Sequence, residues 1–343
     1  MNNRAGCGDI HALRRPAGQP ALRAGGCLVR LAKRPAFDRQ APGPIREGLG
    51  TAGERGLNVL LTGASGFIGR NVASALAAAG HRLKPASRRH GIDYCRMQAE
   101  ADWLPHLAGV DAVINSVGII GESGSQRFEP LHRTAPSALF RACAQAGIRR
   151  VLQISALGAD ASAFSAYHLS KRAADDCLRS LDLDWFVLRP SLIYGRGGKS
   201  ADLFMRLATL PLIPVIGDGQ QALQPVHISD VVATVLQSLT TSTTRQTLDV
   251  VGNEAITFAD WLQLMRQAQG LPRAAMFHIP LPLALALARL GRHFSPLLQP
   301  ENLRMLQAGY RADVQPLTRF LGRMPLTVET RLFFSDLVPT GRP

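Results

Sequence analysis

The segment "NVLLTGASGFIGRN", residues 58–71, decides the fold. Its first five residues form an apolar run that suits a strand buried on both faces, and "FIGRNVASALAAAGH" predicts a helix that ends at Gly80. Between them, Gly63 suits a tight turn, Gly66 allows a pyrophosphate to approach the backbone, and Gly69 allows the helix to pack closely on the strand. The segment therefore predicts a dinucleotide site at a helix N-terminus, where free N–H groups favour an anion.

Short apolar runs alternate with helical segments beyond this turn, and this alternation predicts an α/β fold, a Rossmann-type doubly wound parallel sheet. We expect a Rossmann domain over 57–255 and a small, mostly helical C-terminal subdomain over 256–343 on the substrate side, with parts of 190–225 contributing to that side. The further predicted strands are 81–87, 91–97, 111–118, 149–155 and 184–190, and the predicted helices include 138–147, 257–270, 281–294, 300–310 and 314–322.

The chain has 343 residues and a formal net charge of +14. Residues 1–56 are rich in Arg, Gly, Pro and Ala and show no structural period, which predicts a disordered, dispensable basic extension. The remaining charge is scattered, which favours a basic solvated surface and no nucleic-acid partner. Five cysteines without ligand spacing predict reduced thiols, a cytoplasmic location and no metal site. No apolar run is long enough to span a membrane, although 279–290 leaves an interfacial helix and peripheral membrane association open.

The residues after the second predicted strand indicate which dinucleotide is bound. An acidic side chain there would bind the ribose 2′-hydroxyl, and a basic one would bind a 2′-phosphate. The chain has Ser87, Arg88 and Arg89 at this point, and Arg70 lies just inside the first helix. Because the planar guanidinium suits phosphate recognition, NADP(H) is favoured. NAD(H) remains open, since these arginines are also ordinary surface residues in many proteins.

The segment "SAYHLSK" places Tyr167 and Lys171 four residues apart, so a helix would carry both on one face. A tyrosine with a pKa of about 10 is a poor acid–base group at neutral pH unless a neighbouring ammonium stabilises its phenolate. Ser155, at the end of a predicted strand, is placed to hydrogen-bond a reacting carbonyl oxygen. The pattern predicts Tyr167, Lys171 and Ser155 as catalytic residues, and we expect Asp175 and Asp176 to be solvated on the same helix.

In this order, the glycine turn, "VINSVGI", "ISALGAD", "SAYHLSK", "LRPSLIYGRG" and "QPVHISDVV" resemble the extended or atypical branch of the short-chain dehydrogenase/reductases, also called NAD-dependent epimerase/dehydratases. The resemblance covers about residues 58–270 and is greatest to the group that contains an accessory subunit of respiratory complex I. Where many extended members carry an asparagine, in the helix that follows "VINSVGI", this chain has "PLHRTAP", with His132 and Arg133.

The resemblance implies where a cofactor binds. The glycine turn would hold the pyrophosphate, Arg88 would meet the adenosine phosphate, residues 115–118 would line the adenosine side, and 190–193 would pack against the nicotinamide carboxamide. The implied cofactor-binding residues are Gly63, Ser65, Gly66, Phe67, Ile68, Gly69, Arg88, Asn115, Ser116, Val117, Gly118, Tyr167, Lys171, Pro190, Ser191, Leu192 and Ile193.

Two functions remain open at this stage. The first is an NAD(P)-dependent oxidoreductase or epimerase-like enzyme that acts on a carbonyl or hydroxyl group of a small molecule, and the apolar C-terminal helices favour a hydrophobic one. The second is a non-catalytic NADPH-binding structural or assembly protein, which in this family can associate with a respiratory complex. The substrate and the oligomeric state are not fixed by these residues.

Overall fold

The computed structural model describes residues 56–291 and 299–335. All of these residues belong to one compact unit, Glu54–Pro343. The extension predicted over 1–56 lies outside the described residues apart from Gly56, and so do the end of the helix predicted over 281–294 and the last eight residues of the chain.

Six strands of the described residues form one parallel sheet, which confirms the predicted Rossmann-type fold class. They follow the order β10-β5-β4-β3-β1-β2 across the sheet. The chain crosses from one half of the sheet to the other after β2, and the carboxyl ends of the strands on either side of that crossing form the edge where open α/β sheets bind ligands. The strands are β1 Asn58–Thr62, β2 Arg82–Ala86, β3 Ala112–Asn115, β4 Arg150–Ile154, β5 Asp184–Pro190 and β10 Gln246–Val250.

Helices cover both faces of this sheet. Successive residues of β1 point to opposite faces, so that Leu60 and Leu61 belong to different apolar clusters and both are fully buried. The helices are α1 Phe67–Ala78, α2 Glu100–Leu107, α3 Ala135–Gln145, α4 Ala166–Arg179, α5 Lys199–Ala208, α6 Ile228–Thr240, α7 Phe258–Ala268, α8 Leu281–Gly291, α9 Pro300–Ala308 and α10 Gln315–Leu321.

The strand predicted over 91–97 is wrong. Tyr94–Arg96 forms a 3-10 turn, which begins where the Asp93 side chain accepts a hydrogen bond from the Cys95 amide. The Tyr94 side chain is buried, and its hydroxyl donates to Asn115 Oδ1 at 2.9 Å. Because this tyrosine packs inward under the sheet, the segment cannot extend the sheet, and β2 is its edge strand.

A third apolar cluster lies outside the main sheet and draws on both 194–223 and 258–333. At its centre the rings of Tyr194 and Trp261 lie 5.4 Å apart and that of Phe333 packs 5.1 Å from both. The predicted helical C-terminal region is present as α7 to α10, but it also contains two short strands, Ile256–Thr257 and Ala275–Ile279, that the sequence did not predict. The short strands outside the main sheet are β6 Ile193–Tyr194, β7 Leu212–Ile216, β8 Ala222–Leu223, β9 Val226–His227, β11 Ile256–Thr257 and β12 Ala275–Ile279, of which β12 pairs with β7.

No helix in the described residues is long and apolar enough to cross a membrane.

Candidate active site

The turn between β1 and α1 requires its glycines for different reasons. Gly63 adopts a φ of 70°, and its amide donates to Ala86 O at 2.9 Å, which ties the turn to β2. The Gly66 amide donates back to Gly63 O at 2.8 Å. At Gly69 an added Cβ would lie 2.2 Å from Gly63 O, so only glycine lets α1 pack this closely on the turn.

The N-terminus of α1 fits a pyrophosphate. Gly66 occupies the cap position and no side chain caps the helix, so no side chain competes for the first-turn amides of Phe67, Ile68 and Gly69. Gly66 is exposed, and an added Cβ would meet only Gly63 O at 3.2 Å. Ser65 is partly exposed, and its carbonyl accepts a hydrogen bond from Arg70 at 3.1 Å. The turn thus presents open backbone donors at the positive end of a helix dipole, as anion binding requires.

The difference between two of these glycines gives a matched pair of variants. We expect Gly69→Ala to lower the free energy of unfolding by about 1–3 kcal/mol, because its methyl group overlaps backbone atoms. Gly66→Ala brings its methyl group to 3.2 Å from a single backbone oxygen, so we expect a smaller loss of about 1 kcal/mol or less, together with weaker dinucleotide binding. Urea denaturation and titration calorimetry measure the two effects. Equal stability losses in the two variants would contradict this assignment of roles.

The strand ends beside the turn are joined by buried hydrogen bonds. The Asn115 side chain accepts from Thr62 Oγ1 at 2.6 Å and donates to Gln153 Oε1 at 2.6 Å. Ser116 Oγ donates to Thr62 O at 2.6 Å. The Asn115 side chain, implied to line the adenosine side, is therefore occupied within the protein, which leaves Ser116 as the group that contacts the glycine turn from this side.

Arg88 lies on the surface at the carboxyl end of β2. It begins a 3-10 turn, Arg88–His90. The hydroxyl of the preceding Ser87 lies 2.8 Å from His90 Nδ1 and so links the two ends of this turn. Arg88, Arg89 and His90 are all exposed. The guanidinium groups of Arg88 and Arg89 thus lie exposed just beyond the carboxyl end of β2, an arrangement that suits a 2′-phosphate.

Tyr167 and Lys171 lie one turn apart on α4. The helix begins after Ser165, whose hydroxyl accepts from the His168 amide at 3.1 Å and so caps the first turn. Lys171 is only 3% exposed, and its ammonium donates to the carbonyls of Val117 and Ile154 at 3.0 Å each. Lys171 is thereby fixed at the carboxyl edge of the sheet, between the ends of β3 and β4.

Gly118 lies directly against this ammonium, because an added Cβ would be 3.2 Å from Lys171 Nζ. The structure therefore brings Val117 and Gly118, predicted to line the cofactor site, together with Lys171, predicted to be catalytic.

The Tyr167 ring is held among three other rings. The ring of Phe128 lies 6.0 Å away, that of His132 5.5 Å and that of His168 5.1 Å, all edge to face. Burial, and secondly the charge of Asp175, raise the pKa of Tyr167 to about 12. The hydroxyl is therefore protonated at neutral pH, and its role as an acid–base group stays a prediction.

His132 was not predicted as a site residue. It is 1% exposed in a π-helical turn, Glu129–Thr134, that leads into α3. Its Nε2 accepts from the Ile119 amide at 3.0 Å, and its Nδ1 lies 3.0 Å from the hydroxyl of Ser170, which donates to Tyr167 O at 2.7 Å. These bonds require a neutral ring with its proton on Nδ1. Burial, and secondly Lys171, lower the pKa of His132 and so maintain that state. The only sequence signal was that the segment with His132 and Arg133 stands where many extended members carry an asparagine.

The positions of Ser155 and Asp175 differ from the sequence expectation. Asp175 is fully buried, so the prediction that it is solvated is wrong, whereas Asp176 is exposed. Ser155 is 4% exposed and its hydroxyl donates to Asp175 Oδ2. The Ser155 proton is directed at this carboxylate, and the role of Ser155 as a carbonyl ligand stays a prediction.

The segment 190–193 continues from β5 along the same edge. Pro190 O accepts from the Leu157 amide at 2.9 Å, and the Ser191 amide donates to Val250 O at 3.1 Å. Leu192 O accepts from the Val226 amide at 2.9 Å, and Ile193 pairs with that residue in a short parallel ladder. This anchored backbone borders the carboxyl end of β5, where the resemblance places the nicotinamide carboxamide.

No group of metal-ligating side chains occurs among the described residues.

The sequence model of the NAD dependent epimerase/dehydratase family matches residues 59–251, from the first strand to the last strand of the sheet. The chain belongs to this family. The match includes the glycine turn, Arg88 and the Tyr167/Lys171 pair, so every residue of the candidate site described above lies inside the family region.

Two curated relatives of the family differ in role. Ceramide reductase of Caulobacter vibrioides is 30% identical over 187 residues, which is 51% of this chain and 58% of the relative. Subunit 9 of the NADH dehydrogenase [ubiquinone] 1 alpha subcomplex of mouse is 26% identical over 199 residues, 53% of each chain. The chain thus spans little more than half the length of each of these relatives.

Solved structures of the family share the fold. MoeE5 in complex with UDP-glucuronic acid and NAD aligns with a TM-score of 0.62 and 21% identity, covering 80% of this chain and 96% of that one. UDP-glucose 4-epimerase of Thermotoga maritima aligns with a TM-score of 0.62 and 15% identity, covering 81% and 96%.

Proposed function

We propose that this protein is an NADP(H)-dependent oxidoreductase that interconverts a carbonyl and a hydroxyl group on a small, apolar substrate. The observation that carries the proposal is the placement of the Lys171 ammonium, bonded to Val117 O and Ile154 O, one helical turn from Tyr167. A nicotinamide dinucleotide bound at this edge supplies or accepts a hydride.

Tyr167 is the proton donor in the reducing direction. Its raised pKa keeps the proton on the hydroxyl until the substrate oxygen becomes basic. As that proton leaves, the Lys171 ammonium stabilises the phenolate, since opposite charges attract strongly away from bulk water. The ring contacts with Phe128, His132 and His168 hold the tyrosine in one orientation while the proton moves.

Two observations support an apolar substrate. Leu283 and Leu287 are about half exposed on one face of α8, in the C-terminal region that the sequence assigns to the substrate side. The similarity to a protein named ceramide reductase supports the same chemical class. The test is NADPH oxidation against a panel of long-chain ketones, sterol ketones, quinones and small polar ketones, and we expect turnover with the apolar members. Turnover restricted to polar ketones would contradict the substrate class.

The pH profile follows from Lys171. Burial lowers the pKa of this ammonium from the ordinary value of 10.5, so its proton is present at low pH and is lost as the pH rises through the lowered value. We expect kcat/KM for reduction to be constant near neutral pH and to fall up to about tenfold per pH unit on the alkaline side. The measurement is the rate from about pH 6 to about pH 10. A rate that rises throughout this range would contradict the role of Lys171.

A second candidate function is non-catalytic NADPH binding in a structural or assembly role, including association with a respiratory complex. The engagement of the Ser155 hydroxyl by Asp175 favours it, because this removes a donor from the substrate side. The similarity to a subunit of the mitochondrial NADH dehydrogenase also favours it. Under this alternative, NADPH co-purifies with the protein and remains unoxidised with every carbonyl compound offered.

A further inference from the structure

Asp175 is a buried carboxylate for which the proposed reaction has no use. It follows Lys171 by four residues on α4, and its exposed fraction is 0%. The adjacent Asp176 is different, because its side chain is 56% exposed and pairs with Arg172 and Arg179. Two neighbouring aspartates on one helix thus occupy opposite environments, and only the first faces the sheet.

Buried polar groups reach Asp175 across the sheet. Ser155 donates to its Oδ2, whereas its Oδ1 is buried without a hydrogen bond from any described residue. Gln153 Nε2 is also buried without a partner in that part of the chain, and Gln153 Oε1 accepts from Asn115. Hydrogen-bonded polar side chains therefore lead from β1 through β3 to Gln153 on β4, and the Gln153 side chain also lowers the pKa of Asp175 on α4.

The Lys171 ammonium requires a negative charge nearby. Its two carbonyl acceptors are neutral dipoles, which compensate only part of the cost of removing a full charge from water. The other titratable and charged groups that act on this region are Tyr167, His132 and Arg179, and none of them is anionic at neutral pH. Asp175 is the carboxylate whose charge acts on Lys171, and the effect raises the pKa of the ammonium.

We propose that Asp175 is a positioning residue, the buried counter-charge that keeps Lys171 protonated at the end of β4, and that Ser155 serves this pair by holding the carboxylate in place. Burial raises the pKa of Asp175 to about 7, against the smaller opposite effects of the Ser155 hydroxyl and then the charge of Lys171. The carboxylate and the ammonium therefore support each other's charged state. The proposal rests on the proposed function only in that Lys171 serves Tyr167.

The first test follows the ionisation of Lys171 directly. The chain has four lysines, Lys33, Lys84, Lys171 and Lys199, so lysine-selective isotope labelling gives few NMR signals, and Lys171→Met assigns the relevant one. We expect Lys171 to titrate below the ordinary lysine value of 10.5, and about a further pH unit lower in Asp175→Asn. Asp176→Asn, which removes the same charge from an exposed position, is expected to leave the titration of Lys171 unchanged. Equal titration of Lys171 in both aspartate variants would overturn the proposal.

The second test is a double-mutant cycle on thermal stability, which remains informative if Asp175→Asn folds poorly. We expect Asp175→Asn to lower the unfolding midpoint by about 5 °C or more in the wild-type background and by less than half as much in a Lys171→Met background. The same loss in both backgrounds would overturn the pairing.

Both tests are independent of turnover. A coupled pair in an inactive protein contradicts the proposed function alone, and an uncoupled pair in an active enzyme contradicts the Asp175 proposal alone.

Discussion

Replacing Tyr167 by phenylalanine is expected to lower kcat for carbonyl reduction by a factor of about 10² to 10⁴, because the variant lacks the proton donor. The dissociation constant for NADPH is expected to stay within about threefold of the wild-type value. Phenylalanine keeps the ring contacts with Phe128, His132 and His168. Within the described residues the Tyr167 hydroxyl has no hydrogen-bond partner that the change would leave unsatisfied. Steady-state kinetics and titration calorimetry separate the two quantities.

Tyr310→Phe is the matched control for this prediction. The Tyr310 ring also packs against His168, at 5.1 Å, and its hydroxyl lies 3.4 Å from His168 Nδ1. The control removes the same hydroxyl from a neighbouring ring without touching Lys171, and we expect kcat to change by less than about threefold. Unchanged turnover in Tyr167→Phe, or equal losses in the two variants, would contradict the assignment of Tyr167.

Replacing Arg88 by aspartate is expected to shift the preference for NADPH over NADH by about a hundredfold or more. The change removes a charge-assisted hydrogen bond to the 2′-phosphate, places a like charge beside it, and provides an acceptor for the 2′-hydroxyl of NADH. Arg88 is exposed, so the substitution leaves the free energy of unfolding within about 0.5 kcal/mol. Titration calorimetry with both dinucleotides measures the shift.

Arg82→Asp is the control for this charge reversal. Arg82 is the exposed first residue of β2, at the end of that strand opposite to Arg88. Arg82→Asp changes the net charge by the same amount as Arg88→Asp. We expect it to leave the ratio of the dissociation constants for NADH and NADPH within about threefold of the wild-type ratio. A wild-type protein that binds NADH as tightly as NADPH would contradict the role of Arg88 in cofactor choice.

The glycine turn shows what sequence patterns predict well. Gly63, Gly66 and Gly69 are required by short-range backbone geometry, which spacing alone expresses, and the structure gives each a distinct environment. The alternation of apolar strands and helices predicted the parallel sheet correctly, because this pattern too is expressed in local spacing. The segment 91–97 misled the prediction because its apolar and aromatic residues suit a strand, yet the Tyr94 side chain turns inward to Asn115 and the Trp103 ring.

The buried polar groups were harder to predict. Asp175 and Asp176 are adjacent charged residues and look alike in the sequence, but about 100° of helical rotation separates them. Tyr167, Lys171 and Asp175 follow one another at intervals of four residues and so lie on one face of α4, whereas Asp176 does not lie on that face. His132 depends on contacts with Ile119 and Ser170, from two other segments of the chain, which no local pattern encodes. The candidate catalytic pair was thus predictable from spacing, and the groups that support it were not.

The central claim is that the protein uses its dinucleotide for chemistry. The most direct measurement is mass spectrometry of products formed from the carbonyl panel with NADPH that carries deuterium at its transferable position. The account predicts an apolar alcohol that contains one deuterium with the wild-type protein, and none above background with Tyr167→Phe. NADPH that stays bound and unoxidised with every carbonyl compound, while the protein remains folded, would contradict the account and favour a structural role.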